Sequence, residues 1–150
     1  MDNNGLVEQP IEKLYVFLME QIIQKYREIA GETLDRYQTG LSVDEWIVLK
    51  QVSENDGCSQ IELARSTLTG PAKMTRTIDT LARKKLIDKQ LSETDRRRHQ
   101  IFVSPKGKKL IRELWPEVLA YRQLALKNFS TSDKQSLSRL LHQMVENLES

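Results

Sequence analysis

Cysteine, histidine and long apolar runs are all scarce in this chain of 150 residues. The one cysteine, Cys58, cannot form an internal disulfide, and with only two histidines beside it a zinc site of Cys/His type has no ligand set. The longest unbroken aliphatic and aromatic run is Tyr15–Met19, far below the roughly 20 residues of a membrane span. The opening Met1-Asp2-Asn3-Asn4-Gly5 has no basic segment leading into an apolar core, so no secretory signal is expected. No glycine-rich phosphate loop and no histidine in a catalytic motif is present, which argues against an enzyme. Hydrophobic residues at 39% and charged residues at 29% are too apolar for disorder and too polar for a membrane protein. The expectation is a cytoplasmic protein without cofactor or metal, long enough to bury a core unaided.

Charge is unevenly placed. Residues 65–109 hold thirteen Lys/Arg against four Asp/Glu, whereas the other residues carry an acidic surplus, and the whole chain is only +2. A basic middle between acidic flanks points to a localised anion-binding face.

The hydrophobic spacing predicts a long amphipathic helix entered at Pro10, with Ile11, Leu14, Tyr15, Leu18, Ile22, Tyr26 and Ile29 on one stripe and Gly31 as a possible break. Ser42 and Glu45 make a capping box for a helix ending near Glu54. Asn55-Asp56-Gly57 is a turn, and Ser59 with Glu62 opens another helix to Arg65 or Ser66. Pro71 takes the first position of the next helix, whose Met74, Ile78 and Leu81 face inward. Residues 88–91 and 100–103 read as two strands flanking a charged tip. Ser104-Pro105 starts a long helix, and Ser130 with Asp133 starts the last. The fold class is therefore mainly α with a small β-hairpin: a winged helix-turn-helix with N- and C-terminal helices forming a dimerisation domain. The boundaries are 1–40 and 105–150 for the flanking helices and 41–104 for the winged unit, with the helix-turn-helix at about 59–82 and the wing at about 88–103.

The Pro71 helix has the width of a DNA major groove, and the N-terminal half of such a helix meets base edges. Its outward candidates are Pro71, Ala72, Lys73, Thr75, Arg76, Thr77 and Thr80. Arg96, Arg97 and Arg98 stand side by side at the hairpin tip, followed by His99. Adjacent guanidiniums repel, and a phosphate backbone or a narrow minor groove supplies the missing counter-charge. Ser59 and Gln60 at a helix start are candidate phosphate donors. The stripes Ile11, Leu14 and Leu18, and Leu137, Leu140, Leu141, Met144, Val145 and Leu148, are longer than the middle unit can cover, which implies a partner surface unless the two terminal helices cover each other.

The stretch Leu41 through Leu110 resembles the DNA-binding core of the MarR family of bacterial transcription regulators. The matching pieces are Glu45-Trp46-Ile47-Val48-Leu49, Ile61-Glu62-Leu63-Ala64, Met74 to Leu81, Lys84-Lys85-Leu86-Ile87, Asp95-Arg96-Arg97-Arg98 and Val103-Ser104-Pro105-Lys106-Gly107. The resemblance implies a homodimer that binds double-stranded DNA, with the Pro71 helix in the major groove and the wing in the minor groove. It also implies a ligand-responsive repressor on a pseudo-palindromic operator. A small aromatic or phenolic effector is implied where the dimer helices meet the winged unit, with Tyr15, Trp46 and Trp115 as pocket candidates. Two positions depart from the pattern: Leu68 stands where many relatives carry glycine, and Gly70 where they often carry a bracing polar residue. Cys58 precedes a helix cap and not the first helix, so it reads as a small packed residue and not as a redox sensor. The same features would serve a non-specific architectural DNA binder or a winged-helix module for protein contacts. Steep salt dependence without sequence preference marks the former, and no affinity for nucleic acid marks the latter.

Overall fold

Six helices and three short strands follow one another in a computed structural model that describes Pro10 and residues 14–150. They are α1 (Tyr15–Arg36), α2 (Val43–Glu54), β1 (Cys58–Ser59), α3 (Gln60–Ser66), α4 (Pro71–Arg83), β2 (Ile87–Leu91), β3 (His99–Val103), α5 (Pro105–Ala125) and α6 (Thr131–Glu149). The strands form one antiparallel sheet in the order β1-β3-β2. None of the described helices is long and apolar enough to cross a membrane.

The helix starts are set locally. Capping boxes at Ser42/Glu45, Ser59/Glu62 and Ser130/Asp133 each satisfy two backbone donors, as their spacing predicts. Gly70 is the N-cap of α4, and it caps without a side-chain bond. Ser104 caps α5 by accepting from the Gly107 amide at 3.1 Å, while its own hydroxyl donates to the Lys85 carbonyl at 2.7 Å. A Cβ at Gly107 would collide with the Leu86 carbonyl, so only glycine lets α5 start this close to the strand.

Two expectations are corrected. Gly31 does not break α1, which runs through it unbroken; one glycine in a helix interior costs only about 1 kcal/mol. The hairpin is the larger part of a three-stranded sheet, because Cys58 and Ser59 pair with Ile101 and Gln100. The two hairpin strands also start one residue earlier than the spacing indicates, and Ile87 pairs with Val103 across the register that ends at Leu91 and His99.

The core lies inside the winged unit. Trp46, Val48, Leu49 and Val52 of α2 pack with Leu63 of α3, with Met74, Ile78 and Leu81 of α4, and with Ile87, Ile101 and Val103 of the sheet. Leu34 near the end of α1 and Leu114 and Val118 of α5 join the same cluster. α1 thus reaches the core near its C-terminal end, α5 packs on it from Leu110 to Tyr121, and no residue of α6 belongs to it. α1 exposes Tyr15, Val16, Phe17, Leu18, Ile22 and Ile23, and no residue of α6 is buried.

Candidate nucleic-acid interface

α4 sorts its side chains by helical spacing. Met74, Ile78 and Leu81 are buried, while Pro71, Ala72, Lys73, Thr75 and Arg76 are exposed and Thr80 is half-buried. Thr77 is the exception to the expected outward set, since it is buried too. It completes the i, i+3, i+4, i+7 stripe that begins at Met74, and its hydroxyl donates to the Lys73 carbonyl at 2.9 Å, so its burial leaves no polar group unpaired. Thr77 is therefore removed from the candidate base contacts. Thr75 and Thr80 donate to the Pro71 and Arg76 carbonyls, at 3.1 and 2.9 Å, and their oxygens accept from the Gln60 amide at 2.6 Å and the Arg83 guanidinium at 3.2 Å.

The turn before α4 is a Schellman motif built on the wrong residue type. The Thr69 amide donates to the Ala64 carbonyl at 2.9 Å and the Leu68 amide to the Arg65 carbonyl at 3.4 Å. Leu68 is held at φ 53°, a left-handed conformation, with its side chain 95% exposed. The departure from glycine thus keeps the turn and strains it.

The cations on this face differ in their partners. Lys73 of α4 lies 2.7 Å from Asp44 of α2, which also holds Arg27 of α1 at 2.7 Å. The Lys73 hydrogen bond first, and the Arg27 bond second, hold the Asp44 carboxyl below its ordinary range. Asp79 of α4 is likewise lowered by its hydrogen bond to Lys89 of β2. Among the described residues, Arg76 has no acidic partner.

At the wing tip, Asp95 organises the loop. Its carboxylate accepts from the Arg97 amide at 3.0 Å and lies 3.6 Å from the Arg98 guanidinium, and its carbonyl accepts from the Arg98 amide at 3.0 Å. Arg96 and Arg97 stay exposed without an acidic partner among the described residues. His99 is exposed on β3, opposite Leu91.

Ser59 and Gln60 are each partly engaged within the fold. The Ser59 amide donates to the Glu62 carboxylate at 2.8 Å, and its hydroxyl accepts from the Glu62 amide at 3.2 Å. Gln60 spends its amide on the Thr75 hydroxyl at 2.6 Å, bridging α3 to α4. The Ser59 hydroxyl proton and the second hydrogen of the Gln60 amide are left for an outside acceptor, beside the Glu62 charge at this helix start.

A cavity of about 490 Å³ opens between α1, α2 and α5, lined by Ile23, Tyr26, Arg27, Trp46, Tyr121 and Arg122 among others. Of the three expected pocket residues only Trp46 lines it. Tyr15 stands exposed near the start of α1. Trp115 is half-buried under two cations, with the Lys50 ammonium 4.1 Å and the Arg122 guanidinium 5.5 Å from its ring centroid. Tyr26 and Tyr121 face each other at 5.9 Å across the α1–α5 contact. Cys58 is buried, and desolvation first, with Glu62 adding to it, pushes its thiol up, away from the thiolate that redox sensing needs.

The stripes on the outer helices remain uncovered. Leu18 of α1 and Leu137, Leu140, Leu141, Val145 and Leu148 of α6 are exposed, and Leu14 and Met144 are half-buried; Ile11 lies outside the described residues. α1 and α6 do not cover each other, since α6 buries nothing.

Comparison with known proteins follows the same division. The sequence profile of the MarR family matches residues 39–98, the α2-to-wing segment. The HTH-type transcriptional regulator YybA of Bacillus subtilis (strain 168) is 28% identical over 109 residues, 73% of each chain. The MepR–DNA complex of S. aureus superposes with a TM-score of 0.83 at 20% identity, covering 93% of this chain and 99% of the other. Bordetella bronchiseptica BpsR, whose DNA binding is regulated by 6-hydroxynicotinic acid, gives 0.76 at 20% identity, covering 91% and 96%. At such identities the superpositions establish the fold.

Proposed function

We propose that this chain, whose residues 39–98 match the sequence profile of the MarR family, is a transcription regulator of that family that binds double-stranded DNA as a homodimer. The observation that carries the reading is the placement of free guanidiniums. Arg76 on α4, and Arg96 and Arg97 at the wing tip, project without an acidic partner among the described residues, while nearby acids are engaged in bracing the scaffold. A duplex supplies the phosphates these groups lack. In this reading α4 enters the major groove with Ala72, Lys73, Arg76 and Thr80 toward base edges, and Arg96, Arg97, Arg98 and His99 track the neighbouring backbone or minor groove.

The uncovered stripes of α1 and α6, which a second chain would bury, support the pairing of two copies. Segments 1–40 and 105–150 then form the dimerisation scaffold and 41–104 the DNA-binding unit. Two such units read a pseudo-palindromic operator with half-sites about one helical turn apart. The cavity beside Trp46 presents aromatic walls and two guanidiniums, Arg27 and Arg122, a setting for a small aromatic or phenolic acid. That its occupancy releases DNA, making the protein a ligand-responsive repressor, is supported by the regulation of BpsR by 6-hydroxynicotinic acid.

The test is direct. Fluorescence anisotropy of a labelled random-sequence duplex at low ionic strength gives saturable binding that weakens steeply with salt. A flat titration at every salt concentration contradicts the proposal.

A further inference from the structure

Asp44 stands in the first turn of α2, and its two oxygens reach two different helices. Oδ1 accepts from Arg27 of α1 at 2.7 Å, and Oδ2 accepts from Lys73 of α4 at 2.7 Å. Lys73 is exposed and lies one turn from Arg76 on the face that the proposed function turns toward DNA. The ammonium is a compact point charge, so the closer it lies to a carboxylate, the less of its attraction is left for a phosphate or a guanine edge. The neighbouring acid cannot replace Asp44 in this role. Glu45 is occupied by Lys84 at 2.8 Å and by the Ser42 amide at 3.1 Å.

We propose that Asp44 competes with DNA for Lys73, and that Arg27 sets how strongly it does so. The inference rests on the reading of α4 as the DNA-facing helix. A carboxylate shared between two cations is partly neutralised by each of them. With Arg27 in place, Asp44 holds Lys73 loosely enough for a phosphate to displace it. Without Arg27, the whole carboxylate charge is directed at Lys73. The arrangement makes a residue of the outer scaffold an affinity determinant for a helix it does not touch through its own side chain. Both cations keep Asp44 ionised, so the competitor is present throughout the neutral range.

The experiment is a double-mutant cycle read by anisotropy on one labelled random-sequence duplex over a salt series. Asp44→Asn is expected to tighten binding about two- to fivefold, the range that partly exposed ion pairs provide. It is also expected to steepen the salt dependence, by up to about one unit of slope. Asp44→Ser gives the same direction and guards against a misfolded single variant, with circular dichroism confirming helix content. In a Lys73→Gln background the Asp44→Asn gain disappears. Arg27→Gln weakens binding in the wild-type background and has no effect in the Asp44→Asn background. A gain that persists with Lys73→Gln is a general field effect and overturns the proposal. Weaker binding by Asp44→Asn also overturns it, because Asp44 then positions Lys73 for DNA. If the wild-type protein binds no duplex, the reading of the DNA-facing helix falls first and takes this inference with it. If the wild type binds and Asp44→Asn matches it, the inference alone falls.

Discussion

Lys89 Nζ of β2 lies 2.6 Å from Asp79 Oδ1 of α4, an ion pair that fastens the wing to the helix beside it. Asp79 and Asp44 are both held below the ordinary carboxylate range, by Lys89 and by Lys73 with Arg27 respectively. A carboxyl whose folded pKa is depressed contributes stability that is complete above its unfolded value and is lost as pH falls through its folded value. The urea midpoint should therefore hold steady around neutrality and decline once the pH drops below the ordinary carboxylate range. In Asp79→Asn and Asp44→Asn that acid decline should be shallower. Denaturation curves along an acid series check this, and acid slopes equal to the wild type's contradict it.

Replacing Arg96, Arg97 and Arg98 with alanine removes the wing cations. Each lost phosphate contact flattens the plot of log affinity against log salt by about 0.9. The triple variant should bind every duplex more weakly, with a slope lower by about two to three units. An unchanged slope removes the wing from the interface.

Arg76→Ala tests base reading on α4. A lost bidentate contact to guanine costs about 1–3 kcal/mol of discrimination. The ratio of affinities for a selected site and for random duplex should fall accordingly. If both affinities fall by the same factor, Arg76 is a phosphate contact.

Gly107→Ala tests the packing under α5. The added methyl group has only the Leu86 carbonyl and the Val103 side chain to meet, so either α5 or the strand must move. Overpacking of this kind costs about 1–3 kcal/mol, seen as a lower urea midpoint. A stability equal to the wild type's would show that the helix start is soft.

Much of this architecture is legible in the sequence because its signals are local. Ser42/Glu45, Ser59/Glu62 and Ser130/Asp133 each announce a helix start within four residues, and all three boxes close as their spacing indicates. β1 was not legible, since a two-residue strand has no alternation of its own and exists only by pairing with Ile101 and Gln100. Thr77 misleads because it is polar at a core position, and its bond to the Lys73 carbonyl is what permits this. That Gln60 also bridges to Thr75, and that the Ser59 amide is taken by its capping box, depends on how the fold brings these groups together. The cavity was legible only at Trp46. Of its other residues only Tyr26 lies on a stripe read from the sequence; Ile23, Arg27, Tyr121 and Arg122 lie off it, and nothing short-range tells which helix faces meet.

The central claim is that two copies of a cationic helix-and-wing unit read a duplex together. It is tested most directly by selecting bound sequences from a random duplex pool at physiological salt. The account predicts a two-fold-symmetric motif whose half-sites are about 10 base pairs apart, centre to centre. Recovery of sequences without symmetry or preference would contradict it.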